Sequence, residues 1–118
     1  MRNCGVVATL HELTQQAEQE IRAHVRSAES DDTDYFVSQA ADLLAALRLW
    51  ADTQQRTDAD VRSLVDAENA TMLKNIATEL GQGGGDDSLE ASRRLEGIAY
   101  GPTERLSKTF SFAKSGLH

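Results

Sequence analysis

The chain has 118 residues, of which 12 are basic and 19 acidic, and a formal net charge of -7. That length suits one domain with a modest core, burying roughly two-thirds of the unfolded surface. The acidic balance disfavours general attraction to nucleic-acid phosphates or to an anionic membrane surface, and a single cysteine, Cys4, excludes an internal disulfide framework.

The apolar run at residues 5–8 is too short for a signal-peptide core, and no other stretch approaches a spanning length. The expected location is the cytoplasm, with Cys4 a free thiol. Proline is absent before Pro102, and long stretches are rich in Ala, Leu, Glu, Gln and Arg, so helix is the default reading. No strand-like alternation competes with it.

The first helix is expected over about residues 10–28, starting at TLHE, where Thr9 and Glu12 have the spacing of a reciprocal capping box. Leu10, Leu13, Ala17, Ile21, Val25 and Ala28 share one face. The acidic turn ESDDTD, residues 29–34, supplies caps and negative charge for the next helix start.

The second helix runs from there to about Asp52 and contains YFVSQAADLLAALRLWA, residues 35–51. Phe36, Ala40, Leu43, Leu44, Leu47, Trp50 and Ala51 make a core stripe. Tyr35, Ala46 and Leu49 lie on a second face whose small residues permit close approach of another helix. Either this is a central helix covered on both sides by its own neighbours, or the second face and the Trp50 end meet another chain. With only two other long helices expected, contact with another chain is the preferred reading, and charged substitutions at Leu49 or Trp50 would then weaken binding.

The third helix is expected from TDAD, capped by Thr57 or Asp58, to Leu80, with Val61, Leu64, Val65, Met72 and Ile76 as its stripe. Glu68 falls in the middle of that stripe, so it is either turned to solvent or met by a cation, in the sharper reading one from a partner. Four glycines within residues 81–85 stop the helix and suggest a linker over residues 81–87. Beyond it Asp87 can cap a shorter helix, with Glu90 three residues later, that continues through Leu95 and Ile98 to Tyr100 and ends at Gly101 and Pro102. The basic remainder carries Phe110 and Phe112 and is read as an unstructured tail, or as one that lies against the acidic body or a partner. The expected architecture is all-α: three long helices in residues 1–80, then the linker, then a shorter C-terminal helix and tail in residues 88–118, one domain overall.

Signatures of chemistry are incomplete. HELTQ begins like a zinc-protease helix, but the second histidine position holds Gln15. Glu20 and His24 lack a third ligand at useful spacing. Asp31, Asp32 and Asp34 lack the glycine and terminal glutamate of a calcium loop. The glycine-rich segment lacks the lysine and hydroxyl of a phosphate loop. No catalytic residue, metal or cofactor is therefore expected, and the candidate site is an interface formed by Tyr35, Ala46, Leu49, Trp50, Glu68, Phe110 and Phe112.

A short acidic helical chain with TLHELTQQAEQEIRAHVRS as its first helix and YFVSQAADLLAALRLWA as its second resembles the quorum-sensing anti-activators of Pseudomonas that bind the LuxR-type receptor LasR. The resemblance implies a helical homodimer that occupies the dimerisation surface of the receptor's ligand-binding domain and so blocks transcriptional activation without chemistry. The alternatives are an acidic antitoxin or immunity protein directed at a basic toxin, and a structural helical spacer. An enzyme is the outlying possibility.

Overall fold

The computed structural model describes residues 9–24, 31–83 and 85–117. The expectations for Cys4, Val25 and Ala28, and for the side chains of His24, Asp31 and Asp32, lie outside the described residues. Six helices follow in order: α1 Leu10–His24, α2 Asp31–Thr53, α3 Asp58–Ala67, α4 Ala70–Gly81, α5 Asp86–Ala99 and α6 Thr103–Gly116. Among the described residues there is no strand.

The helix starts follow local chemistry. At α1 the Thr9 amide donates to Glu12 Oε1 at 2.9 Å, and the Glu12 amide donates to Thr9 Oγ1 at 3.1 Å, the expected capping box. Thr57 and Asp60 repeat the arrangement at α3. Asp87 has a different role from the one expected. It lies inside α5, whose N-cap is Gly85, and its carboxylate accepts from the Leu10 amide at 3.0 Å, so it satisfies the first free N–H of α1 instead. The end of α2 is a Schellman turn: the Arg56 amide donates to Ala51 O at 2.7 Å and the Gln55 amide to Asp52 O at 3.4 Å, with Gln55 left-handed at φ 56°.

The expected third helix is two. Glu68 closes α3 in a left-handed conformation, φ 49°, and the side chain of Asn69 accepts from the amides of Thr71 and Met72 to start α4. An asparagine cap provides enough alternative hydrogen bonding to break the helix without glycine or proline. Because the stripe is interrupted there, Glu68 is not a buried carboxylate. It is exposed and pairs with Lys114, a cation from this chain rather than from a partner.

Helix takes up both ends of the expected linker. Gly81 ends α4, the Gly83 amide bonds back to Leu80 O at 3.1 Å, and α5 begins at Asp86. The two helices return antiparallel: the buried Ser92 hydroxyl donates to Ala77 O at 2.6 Å, and a Cβ on Gly81 would stand 3.2 Å from Ser92 Oγ. The residues after Pro102 are helical too. Leu106, Thr109, Phe110, Ala113 and Gly116 form a stripe at three-and-four spacing, and all but the partly buried Leu106 are buried.

α2 is the central element and touches all five other helices. One apolar cluster joins residues of every helix, from Leu10 and Ile21 to Leu73, Leu95 and Phe110. The radius of gyration is 13.5 Å, matching the roughly 13.5 Å of a single domain of this length. α6 packs on α1, α2 and α3 and approaches closely because Gly116 has no side chain: a Cβ there would lie 2.7 Å from Ile21 Cγ1 and 3.3 Å from Leu44 Cδ1.

Candidate interaction surface

The candidate interface residues divide by burial. Ala46, Leu49 and Phe110 are buried within the chain's own core, and Trp50 is only 8% exposed. Around Ala46 and Leu49 the second face of α2 is therefore not free for another chain in this fold. Asp42, one turn before Ala46, meets Arg94 of α5 at 3.2 Å, and Trp50 Nε1 donates to Glu79 Oε1 of α4 at 3.4 Å, so α4 and α5 cover it. Alanine at positions 40, 41, 45 and 46, all fully buried, lets helices approach α2 on more than one side. The splitting of the third helix and the folding of the tail supply the extra covering elements. A charge at Leu49 would accordingly disrupt the core before it could test a contact.

Tyr35 is exposed and Phe112 is partly buried at the edge of the core, and the structure brings them together through Phe36. The Tyr35 and Phe36 rings meet edge to face with centroids 5.1 Å apart, and Phe36 lies 5.7 Å from Phe112. Phe36 was expected on the core stripe, but it sits in the first turns of α2, where covering helices are fewer, and is only partly buried. Tyr35 is 41% exposed.

Two cations of α6 border these rings: Arg105 lies 5.6 Å from the Tyr35 centroid and Lys108 5.3 Å from that of Phe36. Arg105, Lys108 and Phe112 are spaced i, i+3 and i+7, which places them on one side of α6. The final stretch KTFSFAKSGLH, expected to be unstructured or to lie against the body or a partner, belongs to α6 as far as Gly116, and the spacing of this side stands in the sequence. Beside Tyr35 a cleft opens between α2, α5 and α6, with Gly97, Ile98, Gly101 and Leu106 in its lining. Tyr100, at 68%, is the most exposed large apolar side chain among the described residues, but its ring is overlain by Lys74 Nζ at 4.3 Å rather than joined to other rings.

Polar groups elsewhere have structural work. Arg94 Nη1 reaches Thr14 Oγ1 at 3.0 Å as well as Asp42, while its Nε meets Glu90 at 3.2 Å, tying α1, α2 and α5 together. Burial pushes the Asp42 carboxyl above its usual range, opposed by Arg94. Arg48 pairs with Glu20 at 2.6 Å. Among the described residues no group of three or more His, Cys, Asp or Glu side chains is placed to hold a metal ion, and no helix is long and apolar enough to cross a membrane.

Comparison with protein-family models, curated proteins and solved structures finds no match.

Proposed function

We propose that this chain is a non-enzymatic, protein-binding regulator that works in the cytoplasm by occupying a partner's surface. The observation that carries the reading is the strip formed by Tyr35, Phe36 and Phe112, bordered by Arg105 and Lys108. Aromatic and arginine side chains dominate the binding energy of protein interfaces, because a ring removes much area from water with few rotatable bonds to freeze. The partner suggested by the sequence resemblance is the ligand-binding domain of a LuxR-type receptor, held at the surface through which the receptor dimerises, with the regulator itself a homodimer. A competitor of that kind needs matching shape and apolar area, about 800 Å² per partner, and no reaction.

The test mixes the purified chain with the ligand-binding domain of a LuxR-type receptor and weighs the products by light scattering after gel filtration. The expected result is a complex with one receptor domain, at the expense of the receptor dimer. A receptor domain that stays dimeric and elutes apart from the chain overturns the reading.

A further inference from the structure

Gly97 differs from the close-packed glycines of this chain. It lies in the interior of α5, where glycine weakens a helix relative to alanine, yet a Cβ added there would meet no atom within 4 Å. Gly116 and Gly81, by contrast, lie where a Cβ would press on Ile21 or on Ser92. No neighbouring packing within the fold therefore accounts for the missing side chain. What the glycine does is leave room, and it lies in the lining of the cleft beside Tyr35.

The walls and rim of the cleft define what fits. Ile98, Leu106 and the Tyr35 ring offer apolar walls and Gln39 and Thr109 polar ones, while Arg105 lies at the cleft and Lys108 stands one turn further along α6. Arg22, Arg48, Arg94 and Lys114 each meet a carboxylate of this chain. Arg105 and Lys108, like Arg56 and Lys74, instead rest over aromatic rings, and no carboxylate pairs with Arg105 or Lys108 among the described residues; these two alone stand beside the cleft. On a chain of net charge -7, two cations left on rings beside an open cleft of mixed lining complement a ligand that is acidic and carries a small apolar group.

We infer that the cleft between α2, α5 and α6 is the anchor pocket of the interface: it receives one aliphatic side chain of an acidic partner segment, in the space above Gly97, while carboxylates flanking that side chain take Arg105 and Lys108 from the Tyr35 and Phe36 rings. The inference rests on the protein-binding reading above and adds the chemistry of the bound segment. Charge pairs at such a rim act chiefly on association rate and salt dependence, whereas the anchor acts on residence time.

The test uses the full chain and the ligand-binding domain of a LuxR-type receptor, with affinity measured over a range of salt concentrations. Gly97→Leu fills the pocket from its empty side, and Arg105→Glu combined with Lys108→Glu reverses the rim. Both variants are expected to keep the helical circular-dichroism spectrum and to bind about tenfold or more weakly, with the double variant also losing the fall of affinity with salt. If the wild-type chain binds and both folded variants bind equally well, the anchor pocket is overturned while the receptor reading stands. If the wild-type chain does not bind the receptor domain, the receptor reading falls and this inference falls with it.

Discussion

Arg94 and Asp42, 52 residues apart in sequence, meet across α5 and α2 at 3.2 Å, and the same guanidinium nitrogen reaches Thr14 on α1. One side chain thus fixes the α4–α5 hairpin to both of the first two helices. Arg94→Met is expected to cost about 1–3 kcal/mol at neutral pH, because it leaves a half-buried carboxylate without its cation. The folded Asp42 carboxyl titrates above its unfolded value, so its contribution is fully present below the unfolded pKa and is lost as pH rises through the folded one. Removing Arg94 raises the folded value further. The deficit of the variant should therefore narrow as pH falls from neutral into the carboxylate range, and urea denaturation at both pH values checks it. A deficit that stays constant would mean that the ion pair is not its source.

Gly116 and Gly97 should respond to alanine in opposite directions. Gly116→Ala places a methyl 2.7 Å from Ile21 Cγ1 and is expected to destabilise by about 1–3 kcal/mol. Gly97→Ala enters open space and should stabilise by about 0.5–1 kcal/mol through helix propensity. Melting temperatures of the two variants decide the matter, and equal shifts would contradict the packing of α6 on α1.

Phe110 tests whether α6 belongs to the core. It is 1% exposed, and Phe110→Ala should cost about 3–5 kcal/mol within one cooperative unfolding transition. A variant as stable as the wild type would mean that α6 is not docked.

Gln55 holds a left-handed conformation at the end of α2, where glycine has no Cβ to strain. Gln55→Gly is expected to raise stability by about 1 kcal/mol. Glu68→Gly relieves the same strain but also removes the pair with Lys114, an exposed contact of about 0–1 kcal/mol, so its gain should be smaller. Chemical denaturation of both variants measures the difference.

The all-helical class was legible because periodicity and composition agree over most of the chain, and the starts at Thr9 and Thr57 because a capping box has a fixed spacing. The break at residues 68–69 was less so: asparagine is a weak stop signal on its own, and the visible clue was the misplaced charge of Glu68, which marks the end of one stripe rather than a partner's cation. Residues 103–116 carry the spacing of a helix, Leu106, Phe110 and Ala113, diluted by Ser, Thr and Gly. Of the candidate interface, Tyr35 and Phe112 could be picked out as aromatic side chains. Phe36, Arg105, Lys108 and Gly97 could not, since their roles depend on how α5 and α6 lie against α2. The covering of Ala46 and Leu49 within the chain has a related reason: surplus apolar surface on one helix says that something covers it, and only the packing of the other helices says what.

α6 closes against α1 and α2, so the first part of the core to be synthesised is among the last to be completed. At about 5–20 residues per second on the ribosome, α1 and α2 spend seconds with the Ile21 and Leu44 side chains lacking the helix that will cover them. Any protein that captures the nascent chain through that face must act within this interval, and release into the finished fold waits for the seat at Gly116.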